Sequence, residues 1–88
     1  MTTIDLSGGL VLVTGGAGSI GRAIVRQAEQ AGACIAVCDA DIKEADAVAA
    51  QSRANGAVAK SFEMDVTDQD MVKEVMDSAV KELGPLRG

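Results

Sequence analysis

The sequence predicts an α/β fold in which three parallel strands alternate with three helices, the βαβαβα half of a doubly wound sheet. Three observations carry that expectation. Short apolar runs rich in β-branched residues alternate with longer segments of helical period, in the order strand, helix, strand, helix, strand, helix. The connections between them are a few residues long, which suits parallel strands joined by right-handed helical crossovers. The first strand-to-helix junction, "VTGGAGSIG", places four glycines within positions 15 to 21.

Each element has its own signal. Leu10 to Val13 is a continuous apolar run, the mark of a strand covered on both faces. From Ile20 the period lengthens. Ile20, Ala23, Ile24, Ala28 and Ala31 predict one apolar helical stripe, with Arg22, Arg26, Glu29 and Gln30 opposite. Gly32 supplies a left-handed stop. Cys34 to Cys38 reads as a second buried strand, ended by "DAD". Residues 42 to 54 are Ala-rich with interspersed charge and predict a helix closed by Asn55-Gly56. Val58 to Met64 predicts a third strand, interrupted by Lys60 and Glu63. Thr67 or Asp68 is placed to cap the last helix, with Asp70 near its positive end. Met71, Val72, Val75, Met76, Ala79, Val80 and Leu83 form its expected stripe, and Gly84-Pro85 ends it.

Composition narrows the function. Eighty-eight residues make one small domain, and 48% apolar content is globular rather than disordered. Phe62 is the sole aromatic residue, so the core is built from Val, Ile, Leu, Ala and Met. A net charge of −5 without a basic cluster argues against a nucleic-acid partner. No apolar run reaches the roughly 20 residues of a membrane span, and "MTTIDLSGG" carries no export signal, so no membrane partner and a cytoplasmic location are expected. Cys34 and Cys38, on one strand, would lie about 13 Å apart, beyond disulfide reach. With no histidine in the chain, a zinc site is not expected, and both cysteines read as small buried residues.

Gly16-Ala17-Gly18-Ser19-Ile20-Gly21 satisfies G-x-G-x-x-G between a strand and a helix, the context that gives the spacing meaning. Positions without side chains let the backbone turn sharply and let a pyrophosphate approach the main chain. A helix starting near Ser19 then directs free N–H groups and its positive end at the phosphates. Gly21 lets that helix lie close to the strands, and Ser19 can cap it or donate to a phosphate. Asp39 falls at the end of the second strand, 18 positions after Gly21, where a carboxylate can accept both ribose hydroxyls of an adenosine. The plainer alternative for Asp39 is a loop or capping carboxylate. A 2′-phosphate would face Asp39 and Asp41, and the turn carries no Arg or Lys, so NAD is preferred over NADP.

"VTGGAGSIGRAIV", the Asp39 acid and "FEMDVTDQDMVKEVMDSAVKELGPL" together resemble the N-terminal half of a short-chain dehydrogenase/reductase, and the resemblance covers essentially the whole chain. It implies a Rossmann-like fold, with 1–88 a partial NAD(P)-binding Rossmann domain. Thr14 matches the threonine that braces the turn, Gly15 the glycine after it and Gly21 the last glycine. Asp65, in "DVTD", matches the acid that hydrogen-bonds the adenine amino group, and the Val66 backbone would meet the ring edge. The cofactor-binding expectation thus comprises Thr14, Gly15, Gly16, Gly18, Ser19, Ile20, Gly21, Asp39, Asp65 and Val66, with no catalytic and no metal-binding residue. One departure is the spacing T-G-x-x-G-x-x-G, with Ser19 where the compact branch of the family carries glycine; this spacing is more typical of the extended branch.

After "LGP" a family member continues into a fourth strand, an Asn-Asn-Ala-Gly motif, a catalytic serine and a Tyr-x-x-x-Lys pair. Here the sequence ends at "LRG" and contains no tyrosine. Three readings follow. The chain is the truncated NAD-binding part of an oxidoreductase that moves a hydride between NAD(P) and an alcohol or ketone, and is inactive by itself. Alternatively it is a stand-alone nucleotide-binding module, or a fragment of an S-adenosylmethionine-dependent methyltransferase, against which "DVTD" and the TGG start both weigh. In a doubly wound sheet the first strand is central, so its edge along Leu10 to Val13 would lack a neighbour, inviting self-association.

Overall fold

The structure, a computed structural model, describes residues 9–84. It contains β1 (Leu10–Thr14), α1 (Ser19–Gln30), β2 (Cys34–Asp39), α2 (Ile42–Ala54), β3 (Ala59–Glu63) and α3 (Gln69–Leu83). All six expected elements form, in the expected order. The three strands are parallel in the order β1-β2-β3, with Leu10 opposite Cys34 and Ile35 opposite Ala59. Hydrogen bonds flank the third strand at both ends: the Ile35 amide donates to the Val58 carbonyl and the Met64 amide to the Asp39 carbonyl. This is the Rossmann-like βαβαβα arrangement.

Strand alternation sorts the core into two layers. Val11, Val13, Ile35 and Val37 point to the face covered by α1 and α2, where they meet Val25, Ala28, Ala45, Val48 and Ala49. Leu10, Ala36 and Cys38 point to the other face and meet Val75, Ala79 and Leu83 of α3. Both crossovers therefore lie on one side, and α3 returns beneath the sheet. β2 is buried on both faces, which explains its unbroken apolar run. Charges on β3 are tolerated because it is an edge strand: Lys60 meets Glu82 of α3 at 3.3 Å.

Helix ends follow local chemistry. Asp41 caps α2 by accepting from the Lys43 and Glu44 amides, and Asp68 caps α3 by accepting from the Met71 amide. At the end of α1, Gly32 adopts φ +80°, and the Gly32 and Ala33 amides donate back to Glu29 and Ala28. Gly84 ends α3 with φ +102°; Pro85, the other half of that expected stop, lies outside the described residues.

Three expectations need correction. The buried stripe of α1 is Gly21, Val25 and Ala28, whereas Ile20 is 79% and Ile24 47% exposed. Contact of the Gly21 backbone with the preceding turn sets the helix's rotation, and that turns the two isoleucines off the sheet. On α3, Met76 and Val80 are likewise exposed beside the buried Val75, Ala79 and Leu83, because a helix on one layer covers only part of a seven-residue stripe. Cys38 is fully buried as expected, and burial pushes its thiol up to about 11. Cys34, at the first position of β2, is only half-buried.

The corrected stripe has a measurable consequence. Val25→Ala should cost about 2 kcal/mol in urea denaturation, whereas Ile24→Ala should change stability by no more than about 0.5 kcal/mol. A larger loss for Ile24→Ala than for Val25→Ala would mean that α1 sits in the rotation expected from its sequence period.

Candidate functional site

The C-terminal ends of the three strands converge on an open cleft of about 380 Å³. Thr14 and Gly15 line it from the end of β1, Asp39 and Ala40 from the end of β2, and Met64, Asp65 and Val66 from the end of β3. Five of the ten expected residues thus meet in one place. The crevice beyond the carboxyl ends of parallel strands is where open α/β sheets bind ligands.

The glycine turn beside this cleft is built by backbone contacts. Gly15 adopts φ +63°, a conformation that side chains oppose. The Gly16 amide donates to the Cys38 carbonyl, and the Gly18 amide donates to the Gly15 carbonyl to close the turn. A Cβ on Gly21 would lie 2.2 Å from the Gly15 carbonyl oxygen and 2.7 Å from the Gly16 Cα. A Cβ on Gly16 would lie 2.8 Å from a Val37 methyl. Gly18 differs: a Cβ there meets the Gly15 oxygen at an ordinary 3.4 Å. Gly16 and Gly21 are therefore demanded by the chain's own packing, and Gly18 is not.

Gly18, in extended conformation, is the N-cap of α1, so Ser19 is its first helical residue and does not cap it. The capping role expected of Ser19 fails because the backbone leaves the turn one residue earlier. No side chain caps α1, and its first turn holds no acid; α2 and α3 have both a capping Asp and a first-turn acid. Among the described residues, no acceptor meets the Ser19 and Ile20 amides. The α1 N-terminus thus presents free donors and an uncompensated positive dipole end, the electrostatics of an anion site.

Asp39 is half-buried and already engaged on both oxygens. Oδ2 accepts from the Ala17 amide at 3.2 Å and Oδ1 from the Asp41 amide at 3.0 Å. Each carboxylate oxygen can accept a further bond, so capacity for two hydroxyls remains. Asp65 is exposed; its Oδ1 accepts from the Thr67 amide at 2.9 Å and the Thr67 hydroxyl at 2.7 Å. Those bonds favour the charged form and lower its carboxyl from the ordinary aspartate value.

The short chain dehydrogenase family profile matches residues 9–88. The chain belongs to this family. A short chain dehydrogenase/reductase of Colletotrichum higginsianum is 35% identical over 81 residues, 92% of this chain and 30% of the relative. A 2,5-dichloro-2,5-cyclohexadiene-1,4-diol dehydrogenase of Sphingobium indicum is 37% identical over 84 residues, 96% of this chain and 32% of the relative. The structure of an NAD+-bound xylitol dehydrogenase superposes with a TM-score of 0.84 at 35% identity, covering 92% of this chain and 31% of that one. A hydroxysteroid dehydrogenase from Escherichia coli gives 0.88 at 27% identity, covering 93% and 34%. The short-chain dehydrogenase chain described here thus spans about a third of the length of these relatives.

Sequence reasoning missed three residues at the site. Ala40 and Met64 line the cleft because each directly follows a strand; the expected strand ends, Cys38 and Met64, each miss the observed end by one residue, which hid both positions. Arg22 reaches back from α1 to donate to the Ala17 carbonyl at 2.8 Å, which no local motif signals.

The steric contrast between glycines predicts separable phenotypes. Gly21→Ala should destabilise the fold by about 3 kcal/mol or more, since backbone must move, whereas Gly18→Ala should unfold at nearly the wild-type urea concentration. If both variants are equally stable, the close approach of α1 to the turn is not what holds this site together.

Proposed function

We propose that residues 1–88 form a partial Rossmann domain that binds a dinucleotide, NAD in preference to NADP, for an oxidoreductase of the short-chain dehydrogenase family. The observation that carries this reading is the pairing of opposite electrostatics across one turn. Free amides and a positive helix end stand where the turn enters α1, and the Asp39 carboxylate, which lines the cleft, accepts from the Ala17 amide of the same turn. In this reading Thr14 and Gly15 to Gly21 shape the turn, the Ser19 and Ile20 amides meet the pyrophosphate, and Gly18 leaves room for it. Asp39 accepts the ribose hydroxyls, while Asp65 and the Val66 backbone meet the adenine. Thr67 supports that role by fixing the Asp65 carboxylate through two hydrogen bonds to Oδ1.

NAD preference rests on charge: a 2′-phosphate would add roughly −1.5 to −2 beside the carboxylate of Asp39. The bound nicotinamide would supply the hydride-accepting or hydride-donating carbon, for interconversion of an alcohol and a ketone. This chain's residues hold and orient the adenosine end. None of them is proposed as a general acid or base, so the 88 residues alone are expected to bind without turnover.

Calorimetric titration of the purified chain with NAD and with NADP tests the reading; it suits a chain without Trp or Tyr. Saturable NAD binding is expected, weakened at least tenfold by Asp39→Ala, as suits loss of a charged acceptor bonded to two hydroxyls. A folded chain that produces no heat with either nucleotide would contradict it.

A second proposal concerns association. Among the described residues β1 is paired only with β2, and its other edge carries unpaired backbone groups. A second copy can pair along that edge. Sedimentation velocity should then show a dimer or larger species whose share grows with concentration, and a concentration-independent monomer would remove the idea.

A further inference from the structure

We propose that Arg22 and Glu44 form a charge lock that positions the site against a 2′-phosphate, with Arg22 the specificity-determining cation and Glu44 the group that neutralises it. The inference rests on the dinucleotide reading above and deepens it, by naming what sets the choice between the two cofactors.

The turn itself contains no cation, but the fold brings one to it. Arg22 Nε donates to the Ala17 carbonyl at 2.8 Å, and the Ala17 amide donates to Asp39 Oδ2 at 3.2 Å. Asp39 and Arg22 therefore grip the same residue through its amide and its carbonyl. The guanidinium is thereby fixed within one residue of the acid that bounds the adenosine end. A terminal nitrogen of the same guanidinium meets Glu44 Oε2 at 3.3 Å. Glu44 stands in the first turn of α2, three residues after the Asp41 cap and five after Asp39.

A planar guanidinium is the side chain best matched to a phosphate, because it donates two parallel hydrogen bonds. Here its free fork faces a carboxylate instead. A 2′-phosphate arriving beside Asp39 meets that acid, and the cation able to offset it is already paired with Glu44. Both partners are about half exposed, at 49% and 56%, so the pair is weak enough to be released. Loss of the Glu44 charge would leave Arg22 anchored on Ala17 through Nε, with its terminal nitrogens free for phosphate.

The test compares NAD and NADP dissociation constants by calorimetry for the wild type, Glu44→Gln, Arg22→Ala and the double variant, each with a thermal melt to report folding. Glu44→Gln should lower the NADP-to-NAD Kd ratio by roughly three- to fivefold, with NAD affinity nearly unchanged. The double variant should return the ratio to the wild-type value or above it. If Glu44→Gln leaves the ratio unmoved, or if its gain persists in the double variant, Arg22 is not the mediating cation and the proposal falls. Glu44→Ala serves as a second neutral variant, carrying the same expectation should Glu44→Gln melt early. Absence of NAD binding in the folded wild type would instead overturn the cofactor reading, which is visible before any ratio is formed.

Discussion

The site depends on how closely α1 approaches the turn that precedes it. With the Gly21 backbone pressed against Gly15 and Gly16, no side chain fits between helix and turn. That contact does three things at once. It starts the helix directly from the turn with its first amides unpaired, fixes the rotation that buries Val25 and Ala28, and pushes Ile20 and Ile24 outward. A looser junction would leave the same strands and helices but spread the donors over a mobile turn, where their fields no longer add.

Asp39 is the second organising residue, and its value lies in how many elements it joins. Its side chain takes the Ala17 amide of the turn and the Asp41 amide at the start of α2, and its carbonyl takes the Met64 amide after β3. One residue at a strand end thus registers the turn, the second helix and the third strand against each other. The carboxylate is held in place by bonds within the chain itself, so the ribose contact proposed for it would need little further ordering. The plainer reading of Asp39 as a loop carboxylate and the proposed ligand reading are therefore not exclusive, since the structural bonds leave each oxygen able to accept again.

The treatment of helix N-termini separates structure from site. α2 and α3 end their dipoles on Asp41 and Asp68 and add Glu44 and Asp70 in the first turn. α1 has neither feature. Capping a helix is worth about 1 kcal/mol, so leaving α1 bare sacrifices stability at the one helix end that follows the glycine turn. Braces elsewhere offset the loss: Glu29 accepts from Ser52 and Asn55, and Arg22 pairs with Glu44, tying α1 to α2 along its length.

Much of this was legible in the sequence, for identifiable reasons. Strand and helix existence follow from period, caps and Gly stops, which are local: Asp68, Gly32 and Asn55-Gly56 act within a few residues of where they stand. The parallel sheet follows from alternation with short connections, and Asp39 was placed at a strand end by counting alone. The rotation of α1, the exposure of Met76 and Val80, and the position of the true α1 cap were not legible. Each depends on contacts between elements distant in the chain, and a helical period marks which residues are apolar without saying which of them faces the sheet. The same holds for Arg22, which from its sequence position alone reads as a solvated charge opposite the apolar stripe. By itself the sequence determined the order of elements, the family and the chemistry available at the turn. Only the tertiary structure decided which of those groups meet, because backbone contact at Gly21 and hydrogen bonds spanning 22 residues, from Ala17 to Asp39 and from Arg22 to Glu44, have no local signature.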